Sequence, residues 1–304
     1  MCRVTPLVSY VIITRNRSDD LLETVTCLCA QQYPHKEIVV FDNGSEAEQA
    51  AKQCAALKLI DPGIVYARSA RNLGVSGGRN AALVLAHGEI LITIDDDAVF
   101  LDPEATTKIV RRMTGEERLG VLALRIVDYE TGVLERYAFP TRQKDRDSQT
   151  EFETTWFIGA GHAVRRKVYD DVGLYNDYFP YGHEELDLSF RIIDHGYRIL
   201  YFPETIRHKK TKNTRNADSN DFLAVKLENR IKVAIRNLPW RYVASTFLLH
   251  SALMLLRFSH GNPAPVLIAC KNLAGKIPAL LAERKVIQRL TQKRILKMKG
   301  PILY

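Results

Sequence analysis

The chain has 304 residues, 46% of them hydrophobic and 26% charged, with 17 Gly and 12 Pro, which is enough to bury a sizeable core and excludes a disordered chain, a collagen and a coiled coil. Five cysteines, Cys2, Cys27, Cys29, Cys54 and Cys270, are odd in number and form no CxxC pair, which excludes a disulfide framework and a structural zinc and points to a reducing compartment. Residues 1–206 carry 23 basic and 31 acidic groups, net −8, whereas residues 207–304 carry 20 and 4, net +16, so an acidic body precedes a basic tail.

Along the first hundred residues, short β-branched runs alternate with helical ones. Strands are predicted at residues 8–14, 37–42, 64–67 and 89–94. Between them fall a helix capped by Ser18 that carries Leu21, Leu22, Val25, Leu28 and Cys29 on one side, and helices at residues 46–57 and 76–86. This βαβαβαβ order predicts an α/β chain with a single, open, mostly parallel sheet, helices on both faces, and ligands beyond the carboxyl ends of the strands. At those ends lie Thr14-Arg15-Asn16-Arg17, Asp42-Asn43-Gly44-Ser45 and Asp95-Asp96-Asp97.

Residues 103–206 read as mixed: a helix near 103–113, strands near 121–127 and 152–158, and a helix at 184–195 stopped by Gly196. The polar stretch 141–149 has no apolar periodicity and reads as a loop near the site. In the tail, a helix over 222–238 sets Leu227, Ile231, Ala234, Ile235 and Leu238 against Lys226, Arg230, Lys232 and Arg236, and Pro239 ends it. The apolar run 243–256 covers 14 residues, fewer than the roughly 20 that spanning needs. Its stripe of Tyr242, Thr246, His250 and Arg257 suits an interfacial helix. Residues 271–304 add nine basic groups and one acid, Glu283, distributed around the helix, so that electrostatics outweighs insertion there. The expected division is a catalytic unit over 1–215 and a basic amphipathic helical region over 216–304 that associates with an anionic membrane surface. Without a zinc finger, an RNP-like run or an aromatic-interleaved basic patch, no nucleic-acid partner is expected. The opening residues lack the pattern of a signal peptide.

Three clusters carry candidate chemistry. Consecutive aspartates 95–97 repel one another unless a cation neutralises them, and Mg²⁺ is held in this way together with substrate phosphates; a solvated loop or helix cap is the plainer alternative. The loop from Arg71 to Asn80, RNLGVSGGRN, enters a helix whose start and Arg79 suit an anion, although a bare turn with a structural arginine fits equally. It is neither GxGxxG nor a P-loop. His183-Glu184-Glu185-Leu186-Asp187-Leu188 opens a helix with carboxylates suited either to general-base work or to the helix dipole and an Asp187–Arg191 pair. His208 is a ligand candidate or an ordinary core histidine.

TRNR, the DNGS turn, RNLGVSGGRN, IDDDA, FIGAGHAVRR and HEELDLSFR, in this order, resemble glycosyltransferase family 2, the inverting sugar-nucleotide enzymes of GT-A fold, over about residues 8–210. The basic extension is similar to the membrane-associated helices of members that build bacterial surface glycans, among them rhamnosyltransferase-like enzymes. The resemblance implies a metal-dependent transfer from a nucleoside-diphosphate sugar to a glycan or lipid-linked acceptor at the inner, cytoplasmic face of the membrane. It implies a nucleoside pocket of Thr14, Asn16, Asp42 and Asn72, with Arg79 and Asn80 near the diphosphate. Asp95 and Asp96 would lie at ribose and diphosphate, and Asp97, Asp95 and His208 would hold Mg²⁺ or Mn²⁺. Glu185 takes the position of the catalytic base. The family usually has Asp there, so the Glu184-Glu185 pair keeps both as candidates. Trp156, Gly159, Gly161 and His162 match the acceptor side. A sugar nucleotidylyltransferase and a non-catalytic polysaccharide-assembly subunit are the competing readings.

Overall fold

The computed structural model describes residues 5–209 and 219–302. In chain order the elements are β1 (Val8–Thr14), α1 (Ser18–Cys29), β2 (Lys36–Asn43), α2 (Ala47–Ile60), β3 (Val65–Ser69), α3 (Gly74–Leu85), β4 (Ile90–Ile94), β5 (Ala98–Phe100), α4 (Ala105–Thr114), β6 (Leu119–Asp128), β7 (Phe152–Thr154), β8 (Gly161–Arg165), α5 (Arg166–Val172), α6 (Glu184–Asp194), β9 (Arg198–His208), α7 (Asn220–Asn237), α8 (Trp240–Leu253), α9 (Ala264–Ala274), α10 (Ile277–Ala282) and α11 (Arg289–Lys297). A short π-helical turn, Met254–Phe258, continues α8.

Nine strands form one sheet in the order β3-β2-β1-β4-β8-β6-β9-β5, with β7 also on β9. Its first half is parallel as expected: β1 pairs with β2 and β4, and β2 with β3. The expectation of a mostly parallel sheet fails beyond β4, and the sheet is mixed. After β6 the chain reaches the amino end of β9, where β7 pairs antiparallel with residues 199–201, and residues 155–160 return it to the carboxyl edge, so β8 enters from that edge and runs antiparallel to both β4 and β6. Parallel pairing would have required entry from the other edge. β9 evaded sequence reading because its pairing with β6 jumps from Leu124/Phe202 to Arg125/Thr205, leaving Pro203 and Glu204 in an irregularity, where a strand tolerates proline. Of the strand expected at 152–158, only Phe152–Thr154 forms.

Alternating residues feed two cores. Tyr10, Ile12, Ile38 and Val40 pack with Leu21, Val25 and Leu28 of α1 on one face. Val11, Val39 and Phe41 pack with Ala82 of α3 and Leu188 and Ile192 of α6 on the other. Ser18 does not cap α1: Arg17 holds the cap position, and Ser18 Oγ donates to Gln53 Oε1 at 3.2 Å.

The helical tail differs from the amphipathic reading. Val233, Ala234 and Leu238 of α7 join the sheet's second core together with Ile287, Ile295 and Ile302, while Leu223, Leu227, Ile231 and Ile235 form a separate cluster with Ala269, Leu273 and Leu280. Packed on both sides, α7 buries Arg230, Lys232 and Arg236, which sequence reasoning assigned to a polar face. Lys232 pairs with Glu228 at 2.6 Å, and Arg236 with Asp187 at 3.3 Å and Glu283 at 2.8 Å. Part of the stripe on α8 also turns inward, since Thr246 is buried and His250 Nε2 accepts from Arg230 Nε at 3.3 Å, while Arg257 stays exposed. No helix among the described residues is long and apolar enough to cross a membrane.

Candidate active site

At the carboxyl edge lies a cavity of about 700 Å³ whose lining includes Arg79, Asp95, Asp97, Trp156, Gly159, Glu184, Glu185 and His208. These come from α3, the end of β4, the segment before β8, the start of α6 and the end of β9. Sheet order explains the meeting. β8 lies beside β4 and draws the 156–160 segment over the aspartates, with Asp95 N donating to Ala160 O at 3.3 Å.

Asp95, Asp97 and His208 each offer a ligand atom, all within 4.8 Å of one another. Arg17 explains how. Its Nη2 donates to Asp97 Oδ2 at 2.5 Å, while buried Asp97 Oδ1 has no hydrogen-bond partner and stands 3.4 Å from His208 Nε2. Burial opposes charge on Asp97, yet His208 and Arg17 outweigh it and hold the carboxyl below its ordinary range. Burial likewise opposes charge on His208, but Asp97, Glu135 and Asp95 prevail and raise its pKa to about 10. Two carboxylate oxygens with an imidazole suit a divalent cation, and the orphaned Oδ1 is the atom such an ion would satisfy. His208 Nδ1 faces Glu135 Oε2 at 3.5 Å, the outer carboxylate that steers a ligating histidine.

Asp96 points the other way. Its oxygens accept from Thr14 Oγ1 at 2.7 Å and Arg17 Nη1 at 2.7 Å, and burial, partly offset by Arg17 and Thr14, pushes its pKa up to about 7. Asp96 and Thr14 therefore brace the loop beneath the cavity.

Arg79 is buried and joins the metal cluster to α6. Its Nη1 lies 2.8 Å from Glu185 Oε1 and 3.2 Å from Glu184 Oε1, and its Nη2 lies 3.4 Å from Asp95 Oδ1. Gly159 packs against this junction so closely that a Cβ there would strike both Arg79 Nη2 and Glu185 Oε1. Glu184 is the more enclosed acid, with Oε2 unpartnered; burial, then the charge of Glu185, raise its pKa despite Arg79.

The remaining expected residues do not line this cavity. Asp42, fully buried, accepts from Ser45 N and Tyr66 OH, both at 2.7 Å, fixing the turn in which Gly44 adopts φ +87° against the Arg71–Asn72 backbone. Asn16, at φ 55°, accepts from Glu46 N at 2.9 Å, and Asn72 Oδ1 accepts from Asn43 Nδ2 at 3.1 Å. Asn80 spends its amide on the Tyr175 backbone and Asp177, away from the cavity, because α3 turns it toward the 175–177 segment. His162 and Gly161 lie inside β8, and buried His162 faces Ile158 O and Tyr175 OH, so neither reaches an acceptor. Asp187 is structural: it accepts from Arg191 Nε at 3.1 Å and Asn237 Nδ2 at 2.7 Å. Sequence reasoning placed Arg17 in a strand-end run without giving it a role, and missed Glu135 and Tyr66 and the cavity roles of Arg142, His183, Lys226, Arg230 and His250. For Arg17, its place in the strand-end run, one residue past Asn16, was the one available signal.

Residues 9–173 match the model of Glycosyl transferase family 2. An uncharacterized protein of Haemophilus influenzae is 34% identical over 164 residues, covering 53% of this chain and 88% of that protein. The O-antigen biosynthesis protein RfbC of Myxococcus xanthus is 24% identical over 237 residues, 71% of this chain but only 18% of that protein. In fold, the mannosyltransferase PcManGT of Pyrobaculum calidifontis, solved with GDP-Man and Mn²⁺, aligns with a TM-score of 0.60 and 17% identity over 98% of this chain and 85% of that one.

Proposed function

Because this chain belongs to glycosyl transferase family 2 and is a glycosyltransferase, we propose that it moves a sugar from a nucleoside-diphosphate sugar to a hydroxyl of a glycan or lipid-linked acceptor, with inversion and with Mg²⁺ or Mn²⁺, in bacterial surface-polysaccharide biosynthesis. The observation that carries this reading is Arg79, a buried guanidinium that ties Asp95 of the cation cluster to Glu185 across one cavity. Asp97 Oδ1, Asp95 and His208 Nε2 would hold the ion, which when bound supplies positive charge to the departing diphosphate. Thr14, Asn16, Asp42 and Asn72 shape the nucleoside pocket.

Glu185 is the base. Its carboxylate opens on the cavity, whereas Glu184 is more enclosed and favours its proton, so Glu184 is the weaker candidate near neutral pH. Glu185 takes the acceptor proton as the hydroxyl attacks the anomeric carbon opposite the leaving group, and one such displacement inverts that centre. Arg79 orients Glu185 through their 2.8 Å contact. Incubation with UDP-, dTDP-, GDP- or CDP-sugars and Mn²⁺ releases the matching nucleoside diphosphate in wild type and not in Glu185→Gln. Pyrophosphate release from a nucleoside triphosphate and a sugar phosphate would instead overturn the reading.

The same reading puts the enzyme on the inner, cytoplasmic face of the membrane. With Thr246 and His250 of α8 turned inward, Phe247, Leu248 and Leu249, and Leu256 and Phe258 beyond them, are exposed beside Arg241, Arg257 and Lys271. Apolar side chains rimmed by cations fit an anionic lipid surface.

A further inference from the structure

The cavity that holds the two glutamates is also lined by His183, Lys226, Arg230 and His250. Of these, Arg230 is the anomaly. Three other buried cations have a carboxylate in contact: Arg79 has Glu184 and Glu185, Lys232 has Glu228, and Arg236 has Asp187. Arg230 is 5% exposed, and among the described residues no carboxylate lies within ion-pair distance of it. Its Nη2 donates to Pro301 O at 2.7 Å and its Nε donates to His250 Nε2 at 3.3 Å, while among the described residues its Nη1 meets no hydrogen-bond partner. An enclosed charge without a counter-charge is expensive, and such a cost persists where a ligand supplies the partner.

The positive charge of Arg230 bears on its neighbours. Lys226 adds a further positive charge and, among the described residues, lies with Nζ 4.5 Å from the centroid of the Phe222 ring and has no carboxylate partner. Burial, then Arg230, His250 and Lys226, push the His183 pKa down to about 3; burial, then Arg230 and Arg142, bring His250 to about 4; burial and Arg142 lower Arg230 to about 10. His183 is also held at φ 74°, an unusual backbone for a non-glycine residue, which aims it from the start of α6. Donors therefore converge from α6, α7 and α8. One guanidinium suffices for a carboxylate, whereas donors from three elements suit a tetrahedral group with several charged oxygens.

We propose that the acceptor carries a phosphoryl group, held in this cavity by Arg230, Lys226 and the imidazoles of His183 and His250. This inference rests on the cavity being the joint donor and acceptor site. The donor's own diphosphate is assigned to the Asp95, Asp97 and His208 cluster.

The test is calorimetric titration of the full chain with glucose 1-phosphate and with geranyl phosphate in EDTA, where no cation can recruit phosphate to the aspartates. Both esters are expected to bind, about ten-fold or more weakly in Arg230→Gln and several-fold more weakly in Lys226→Met, while UDP or GDP binding with Mn²⁺ persists. Lys226→Met keeps the test decisive if Arg230→Gln fails to fold, because that side chain carries no packing duty beyond one ring. Preference for geranyl phosphate assigns a lipid-linked acceptor, and equal binding a soluble phosphorylated one; both support the proposal. Equal affinity in wild type and variants, no ester binding by wild type, or loss of nucleotide binding in a folded Arg230→Gln would overturn it. Absence of nucleotide binding by wild type in Mn²⁺, with ester binding intact, would instead sink the donor reading.

Discussion

Arg79 Nη1 stands 2.8 Å from Glu185 Oε1, and through this contact a residue at the buried side of α3 sets the position of a carboxylate at the first turn of α6. Glu184 and Asp95 share the same guanidinium. Arg79→Met leaves three carboxylates without their cation and is expected to cost about 3–5 kcal/mol, as for other broken buried pairs. Urea unfolding measures it, and a loss under about 1 kcal/mol would mean that the acids are solvated.

Glu184 and Glu185 should separate by function. Glu185→Gln lowers kcat about 10²- to 10⁴-fold with donor binding intact, as loss of a general base does, and steady-state rates against nucleotide affinity check it. Glu184→Gln leaves most of kcat. Comparable losses in both variants would end the assignment of Glu185 as the base.

Glu184 also writes a signature into stability. Burial and Glu185 raise its folded pKa above the ordinary 4.5. A carboxyl raised on folding binds its proton more tightly in the native state, so its contribution is present below pH 4.5 and is lost as pH climbs through the raised value. Glu184→Gln is expected to flatten that part of the curve of unfolding free energy against pH. An unchanged slope would count against the burial argument.

Metal removal should be visible without turnover. Mn²⁺ with the cognate nucleoside diphosphate is expected to raise the wild-type Tm, since ligand at about 100 times Kd adds about 2.7 kcal/mol. Asp97→Ala and His208→Ala lose the Mn²⁺-dependent part. If both variants respond as wild type does, the ion binds elsewhere.

Membrane attachment is better tested by point changes than by deleting residues 240–304, because Ile287, Ile295 and Ile302 belong to the core of the sheet. Leu248 and Leu256 are 68% and 78% exposed, so Leu248→Ser with Leu256→Ser spares the fold. Sedimentation with phosphatidylglycerol vesicles should fall by at least about ten-fold, since fully burying each leucine is worth roughly 1.5–3 kcal/mol and about 1.4 kcal/mol is a factor of ten. Unaltered sedimentation would remove the apolar face from the account.

The sequence alone determined the parallel half of the fold, because period-2 apolar runs and the helices between them are local signals, and β1 was delimited to the residue. It also marked the aspartate triplet, the Arg79 loop and the α6 acids as candidates for chemistry, because charge crowded at strand and helix ends has a local cost. Tertiary structure decided what those residues face. Only the antiparallel entry of β8 swings Gly159 onto Arg79 and Glu185, and only the packing of α7 on both sides turns Arg230, Lys232 and Arg236 from an expected solvent face into buried groups. Asp96 and Asp97 are adjacent and chemically identical in the sequence. Arg17, 79 and 80 positions away, engages both aspartates and leaves one oxygen of Asp97 unpartnered, because a side chain's partners are set by the whole sheet and not by its neighbours in the chain.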